Sequence, residues 1–241
     1  MIVLFTDFGL AGPYTGQMKV VLRREAPQAE IIDLFADAPA GDPRASAYLL
    51  AAYAAWFPPG TIFLCVVDPG VGGKRAPLMI EADRRWYVGP ENGLFELVLR
   101  RAQSATCSEI TWQPPQLSAS FHGRDLFAPV AAMLARGERP PVRARDANRE
   151  SSWPDDLAEI VYIDHYGNAM TGLRGSAAPQ GATLILGDKR RVIHAATFSA
   201  VPEGQAFWYE NSNGLVEIAV NRSRAADQLR LAVGSTLTIE T

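Results

Sequence analysis

The chain has 241 residues, 48% of them hydrophobic and 20% charged, with a formal net charge of -3. That length and apolar content suit a globular protein of one large or two ordinary domains, and the lack of a basic footprint argues against nucleic acid and anionic membranes as partners. Cys65 and Cys107, the two cysteines, make neither a disulfide framework nor a zinc site and read as small core hydrophobes.

Ile2 to Phe5 opens the chain as a short apolar strand with no leader pattern, so a cytoplasmic location is expected. Thr6-Asp7-Phe8-Gly9 follows as an acidic loop. Pro13 to Arg24 then has helical spacing, with Met18, Val21 and Leu22 on one face. Glu30 to Leu34 predicts a strand, and Asp42-Pro43 supplies an N-cap and first-turn proline for an alanine-rich helix to Phe57, which is too short to cross a membrane. Thr61 to Val67 has no polar side and predicts a central strand covered on both faces. Two short strands, Leu78 to Ala82 and Trp86 to Val88, a helix from about Gly93 to Ala102, a strand Thr106 to Trp112 and a helix Leu126 to Arg136 complete the pattern. Strands alternating with helices predict an α/β domain with a largely parallel sheet over residues 1–140. From Gly137 to Asp156 apolar periodicity is almost lost, which predicts a linker over 141–157. Residues 158–241 hold short strands between turn signals, at Glu159 to Ile163, Ala182 to Leu186, Arg191 to His194, Gln205 to Glu210, Leu215 to Val220 and Ser235 to Ile239. They predict an all-β module, a small barrel.

Chemistry concentrates at Ile62 to Arg75, where the apolar strand runs into Asp68, then Pro69, three glycines and Arg75. Glycines permit a tight loop, and ligands of an open α/β sheet bind outside the carboxyl ends of its strands. The loop matches neither a phosphate loop nor a dinucleotide fingerprint in spacing, and Asp68 would repel a phosphate. Two readings stay open: a site for a cationic or neutral ligand, and a structural Asp68–Arg75 turn clamp. Asp7, at the end of its own strand, could face the same crevice and accept the hydroxyls of a ribose, or simply stabilise its turn. His122 precedes a helix and would be held neutral there, able to accept a proton or orient water. His165 and His194 lack metal-ligand partners. In the β module, Asp164-His165-Tyr166-Gly167-Asn168 sets an acid, an aromatic face and an amide together, the groups a purine and a cationic amine require. Asn211-Ser212-Asn213-Gly214 reads as a hairpin turn.

Taken together, TDFG at Thr6 to Gly9, VDPGVGG at Val67 to Gly73 with Arg75, FHGRDLFAP at Phe121 to Pro129, IDHYGNAMT at Ile163 to Thr171 and NSNGLVEIAVN at Asn211 to Asn221 closely resemble one family. It is the S-adenosyl-L-methionine (SAM) hydroxide adenosyltransferases, adenosine-forming hydrolases related to the bacterial fluorinase and chlorinase. The motifs span nearly the whole chain in the family's order. The resemblance implies an α/β/α amino-terminal domain, a carboxyl-terminal β-barrel, and a homotrimer whose substrate lies between the first domain of one subunit and the barrel of the next. It also implies no metal and no bound cofactor. On the matching positions it makes Asp68, Arg75 and His122 the side chains that hold and activate water, and Asp7 the ribose ligand. Tyr166 and Phe198 match the residues enclosing adenine, and Asn168 matches its polar contact. Asp164 and Ser212 match the grip on the methionine end, and Glu217 and the backbone at Val220 are further substrate contacts.

The chemistry agrees, because attack at the ribose C5′ expels neutral methionine from a sulfonium and leaves the enzyme only a nucleophile to supply. Whether Asp68 or His122 takes the proton is open at this stage. Three competitors remain. A halogenase would, by the same resemblance, carry an aromatic hydroxyl residue in place of Asp68; the fluorinase also has an extra loop that is absent here, and the tight Asp42-Pro43 spacing leaves no tryptophan to match the one lining its pocket. A SAM or adenosine sensor would need Asp7, Tyr166 and Asn168 but not Arg75 beside Asp68 and His122. A metal hydrolase using Asp7 and Asp68 would lack a third clear ligand.

Overall fold

A short apolar run with no face to offer water suits a central strand covered on both faces. In the computed structural model, which describes residues 1–146 and 153–240, β1 (Ile2–Thr6) and β3 (Ile62–Val66) are such strands. They pair in parallel, Ile2 opposite Ile62 through Thr6 opposite Val66, and every residue of both is buried. The chain divides into two units, Met1–Ser151 and Ser152–Thr241.

The first unit adds α1 (Tyr14–Glu25), β2 (Ile31–Phe35), α2 (Pro43–Ala54), β4 (Pro77–Ala82), β5 (Arg85–Pro90), α3 (Glu96–Arg101), β6 (Ala105–Ile110), α4 (Ala128–Ala135) and β7 (Val142–Arg145). Its sheet runs β2-β1-β3-β5-β4-β6-β7. The β2-β1-β3-β5 half is parallel, whereas β4, β6 and β7 are added antiparallel. The switch is made by the tight β4–β5 hairpin, where Asp83 and Arg84 both take positive φ, 47° and 62°, as a two-residue turn of the primed type demands. The Asp83 carboxylate accepts from the backbone N–H of Gln103 and Ser104 at 3.0 and 3.1 Å, which holds that turn.

Side chains alternate across the strands. Ile2, Leu4, Ile62, Leu64 and Val66 pack against Met18 and Leu22 of α1 and Val130 and Ala131 of α4. On the other face Phe63 stacks on Tyr87 at 5.0 Å and meets Phe57, just past α2, at 5.2 Å, giving the α/β/α layering. Asp42 caps α2 as expected, its carboxylate accepting from the Ala45 N–H at 2.9 Å with Pro43 in the first turn. The last helix differs: it begins early as a π-turn, Gly123–Phe127, that runs on into α4. The stretch expected as linker also differs, because β7 lies within it and pairs with β6. Residues 147–152 of that stretch lie outside the described residues.

The second unit contains β8 (Leu157–Ile163), β9 (Ala169–Arg174), β10 (Thr183–Leu186), β11 (Arg191–His194), β12 (Ala206–Glu210), β13 (Leu215–Val220), α5 (Ala225–Leu229) and β14 (Leu237–Glu240). The strand order is β14-β10-β11-β12-β13-β9-β8. The two edges approach each other: Ile160 N–H donates to the Ser235 carbonyl at 2.9 Å and Gly234 N–H to the Ile160 carbonyl at 2.8 Å. The sheet thus curls nearly into the expected barrel, which removes most of its exposed edge. Trp208 fills the interior with Leu184, Val192, Val216 and Ile218, and its buried indole N–H donates to the Ala182 carbonyl at 2.8 Å. Strand β9 and helix α5 are additions to the sequence-based expectation. Among the described residues, no helix is long and apolar enough to cross a membrane.

Candidate functional site

In the first unit the chain leaves β3 at Val67 and immediately folds back. Val71 N–H donates to the Asp68 carbonyl at 3.2 Å and Gly73 N–H to the Gly70 carbonyl at 2.9 Å. Gly72 is required here: its φ is +78°, and a Cβ would lie 2.4 Å from the Ala119 carbonyl oxygen. That close approach lays the glycine loop on the segment carrying His122.

The result is one continuous contact. Arg75 Nε donates to Asp68 Oδ1 at 3.0 Å, its Nη2 to Asp68 Oδ2, and Nη2 also meets His122 Nδ1 at 3.0 Å. The Asp68 and Arg75 side chains are only 4% and 10% exposed, so the pair is withdrawn from bulk water, where its field is weakly screened. The Phe127 ring lies 5.3 Å from the guanidinium carbon. Arg75 is always protonated and can only donate, so His122 accepts at Nδ1 and carries its proton on Nε2. Burial, and then the Arg75 charge, hold His122 below its ordinary value, against the opposing pull of Asp68 and Asp125. Both causes favour the neutral ring, and His122 stands at the N-cap of the helical turn Gly123–Phe127.

Asp7 lies across from this group. Its Oδ2 accepts from the Gly41 N–H at 2.8 Å, and burial raises its pKa, with the Asp68 charge adding to the rise. Asp7, Asp68 and His122 line one cavity of about 110 Å³, walled by Phe8, Val71 and Phe121. Phe8, Tyr14 and Phe121 form a mutual aromatic cluster beside it, with ring centroids 5.5 to 5.9 Å apart. Asp125 gives no signal of its own in the sequence, although it sits in the same FHGRDLFAP run as His122. Its carboxylate accepts from the Ser118 N–H at 2.9 Å and from Arg124 at 2.6 Å, and Arg124 reaches Gln17 at 2.9 Å, so the His122 loop is braced from behind.

The second unit holds the remaining candidates. Asp164 and Asn168 close a turn on each other: the Asn168 N–H donates to Asp164 Oδ1 at 2.8 Å, and its amide to Oδ2 at 3.2 Å. Tyr166 projects from the tip, 73% exposed. Gly167, at φ +82°, leaves no room for a Cβ because Arg224 packs 2.7 Å from that position, and Arg224 donates to the His165 carbonyl at 2.6 Å. Phe198 packs on Phe207 and Tyr209; among the described residues no ring contact joins it to Tyr166. Ser212 is exposed in the β12–β13 hairpin, whose turn is tied by Asn211, with Oδ1 accepting from Asn213 and Leu215 at 2.9 and 3.1 Å.

Glu217 is buried, accepting from the Tyr209 hydroxyl at 2.5 Å and the Asn211 amide at 2.8 Å. The Val220 side chain belongs to the barrel core and its carbonyl accepts from Ser223 N–H at 3.2 Å. Tyr209, Asn211 and Arg224 were not singled out from the sequence, although Asn211 stands inside a quoted motif. Among the described residues no group of three or more His, Cys, Asp or Glu could hold a metal ion.

Residues 2–143 match the SAM hydroxide adenosyltransferase N-terminal domain, and residues 158–238 match the C-terminal domain of the same name. The (R)-S-adenosyl-L-methionine hydrolase of Thermus thermophilus is 39% identical, covering 97% of this chain and 96% of its own length. A protein of the same name from Salinispora arenicola is 35% identical, covering 97% and 95%. Among solved structures, an uncharacterized conserved protein from Thermotoga maritima superimposes with a TM-score of 0.85 at 29% identity, covering 100% of both chains. A conserved hypothetical protein from Thermus thermophilus gives 0.80 at 36%, covering 99% of this chain and 98% of the other.

Proposed function

The chain belongs to the SAM hydroxide adenosyltransferase family, and on that premise we propose that it hydrolyses S-adenosyl-L-methionine to adenosine and L-methionine. The observation that carries the mechanism is Arg75 joined to both Asp68 and His122, the two side chains that line the cavity with Asp7. Water attacks the ribose C5′ in line with the C–S bond, the bond's electron pair leaves on sulfur as neutral methionine, and the water's proton is taken by the enzyme. Because His122 Nδ1 is occupied by Arg75, the ring offers its Nε2–H to orient the water, and Asp68 has the spare lone pairs to accept the proton. The positive guanidinium favours the hydroxide that forms. Asp7 takes the ribose hydroxyls. Neutral methionine departs from the sulfonium without acid or metal assistance, so no cofactor belongs to this reading. A carboxylate at Asp68 also suits water better than a halide, which it would repel.

In the second unit, Asp164 and Ser212 hold the methionine end, Tyr166, Asn168 and Phe198 hold the adenine, and Glu217 and the Val220 backbone support them. Since the water-activating residues and these turns fall in different units, the family's homotrimer is part of the proposal, each site shared by two subunits; a fully active monomer in light scattering would overturn it. The reaction is assigned to the cytoplasm, whose reducing conditions suit Cys65 and Cys107, both buried and unpaired.

The test is to incubate the pure protein with separated R and S sulfonium epimers, because the name of the relatives specifies R, and to follow adenosine and methionine by chromatography. In heavy-oxygen water the 5′ oxygen of adenosine should carry the label. Absence of adenosine from both epimers, or an unlabelled product, would sink the proposal.

A further inference from the structure

The loop bearing Asp68 and Arg75 leaves the sheet after Val67 and rejoins it at Pro77, and both of its ends are held by one neighbouring loop. At the outgoing end the Asn92 amide donates to the Val67 carbonyl at 2.8 Å. At the returning end the Glu91 N–H donates to the Ala76 carbonyl at 2.9 Å. Two consecutive residues therefore grip the residue just before Asp68 and the residue just after Arg75. The grip is brought into range by β5, where Gly89 packs so closely on β3 that a Cβ would sit 2.3 Å from the Cys65 carbonyl oxygen, and where Pro90 pairs with Pro77.

The Glu91 contact is made by backbone and survives any side chain. The Asn92 contact is written in the sequence. Its Oδ1 accepts from the Leu94 N–H at 3.3 Å, which turns the amide N–H₂ toward Val67. Asn92 lines a different cavity, with Leu78, Phe95 and Cys107, and is not among the residues around Asp7.

We propose that Asn92 is a positioning residue for water activation: it fixes the Val67–Asp68 peptide, and through it the Asp68–Arg75–His122 contact, without touching substrate. This rests on the function proposed above for that loop. Misplacement of a reacting group by about 1 Å can cost about a hundredfold in rate, and Asp68 has one fixed carbonyl between it and the strand.

Two variants test it. Asn92→Asp keeps the acceptor for Leu94 and removes the donor to Val67; Asn92→Leu removes both and adds no charge. Both should lower kcat by roughly 10- to 100-fold, while KM for S-adenosyl-L-methionine stays within about threefold and the folded fraction by circular dichroism is unchanged. A kcat within about twofold of the parent, a rise in KM that accounts for the loss, or a loss that tracks unfolding overturns the proposal. A second readout needs no substrate. The His122 imidazole, assigned by its disappearance in His122→Asn, is titrated by NMR in the parent and in Asn92→Leu. The Arg75 charge helps to hold His122 low, so a loosened loop should let its pKa rise toward the ordinary histidine value. An unchanged titration overturns the positioning role even if the parent makes no adenosine, so a failure of the proposed function stays distinguishable from a failure of this inference.

Discussion

Asp68→Ala, Arg75→Ala and His122→Ala are each expected to lower kcat by about 10²- to 10⁴-fold, the range for a positioned proton-transfer or charge-stabilising group. KM should stay within about threefold, since in the proposed mechanism these side chains act on the water rather than on the bound nucleoside. Asp7→Ala should do the reverse: loss of one charge-assisted hydrogen bond, worth roughly 1.5–3 kcal/mol, weakens binding by about tenfold or more. The triad losses should not add. Arg75 holds both partners, so the double variant Asp68→Ala with Arg75→Ala should be little worse than the poorer single variant. Steady-state kinetics on the four single variants and this double decides the matter. Normal turnover in the triad variants would return Asp68–Arg75 to the status of a turn clamp. The pH dependence has a definite sign. Protonation of His122 puts a hydrogen on Nδ1 against the guanidinium and breaks their contact, so activity should persist as pH falls through the ordinary histidine value of 6.5 and fail only below it.

What could be read from the sequence was what is local or strictly periodic. The buried β1 and β3 were visible as unbroken apolar runs, and Asp68 with Arg75 as a polar pair at the two ends of a glycine loop. The Arg75–His122 contact spans 47 residues and depends on Gly72 meeting the Ala119 backbone, so spacing alone could nominate His122 but not join it to Arg75. Strand β7 escaped for a physical reason. It is an edge strand with every residue exposed, held partly by Arg143 and Arg145 on Glu109 at 2.8 and 2.9 Å, and a strand that buries no face has no apolar alternation to detect. The short α5, whose N-cap Arg224 braces the Tyr166 turn, has too few residues to show a helical period. The same gap hid the role of Glu217, because a polar residue in an apolar strand reveals its purpose only when the facing strand is in register: Tyr209 stands directly opposite it.

That register sets up the second large effect. Glu217→Leu is expected to destabilise the second unit by about 2–5 kcal/mol, because the Asn211 amide loses its buried acceptor and the Tyr209 hydroxyl loses this partner. The thermal midpoint should fall by roughly 5–15 °C. Glu217 holds Asn211 of the Ser212 hairpin, and Asp164 and Asn168 of the neighbouring turn both act on its carboxyl, so KM should rise in the folded fraction that remains. The stability change carries a pH signature. Burial holds the Glu217 carboxyl above its ordinary value of 4.5, more than its hydrogen bonds pull it down. The folded state therefore keeps this proton longer than the unfolded chain does. Its contribution is fully present below the unfolded value and is lost as pH rises through the raised folded value. Glu217→Gln, which cannot titrate, should flatten that fall in urea unfolding between acidic and neutral pH. If the Gln variant shows the parent's slope, or if the Leu variant unfolds at the parent's temperature, Glu217 does not brace the Ser212 hairpin, and the two turns proposed to meet the substrate are held by the hairpin backbone and Arg224 alone.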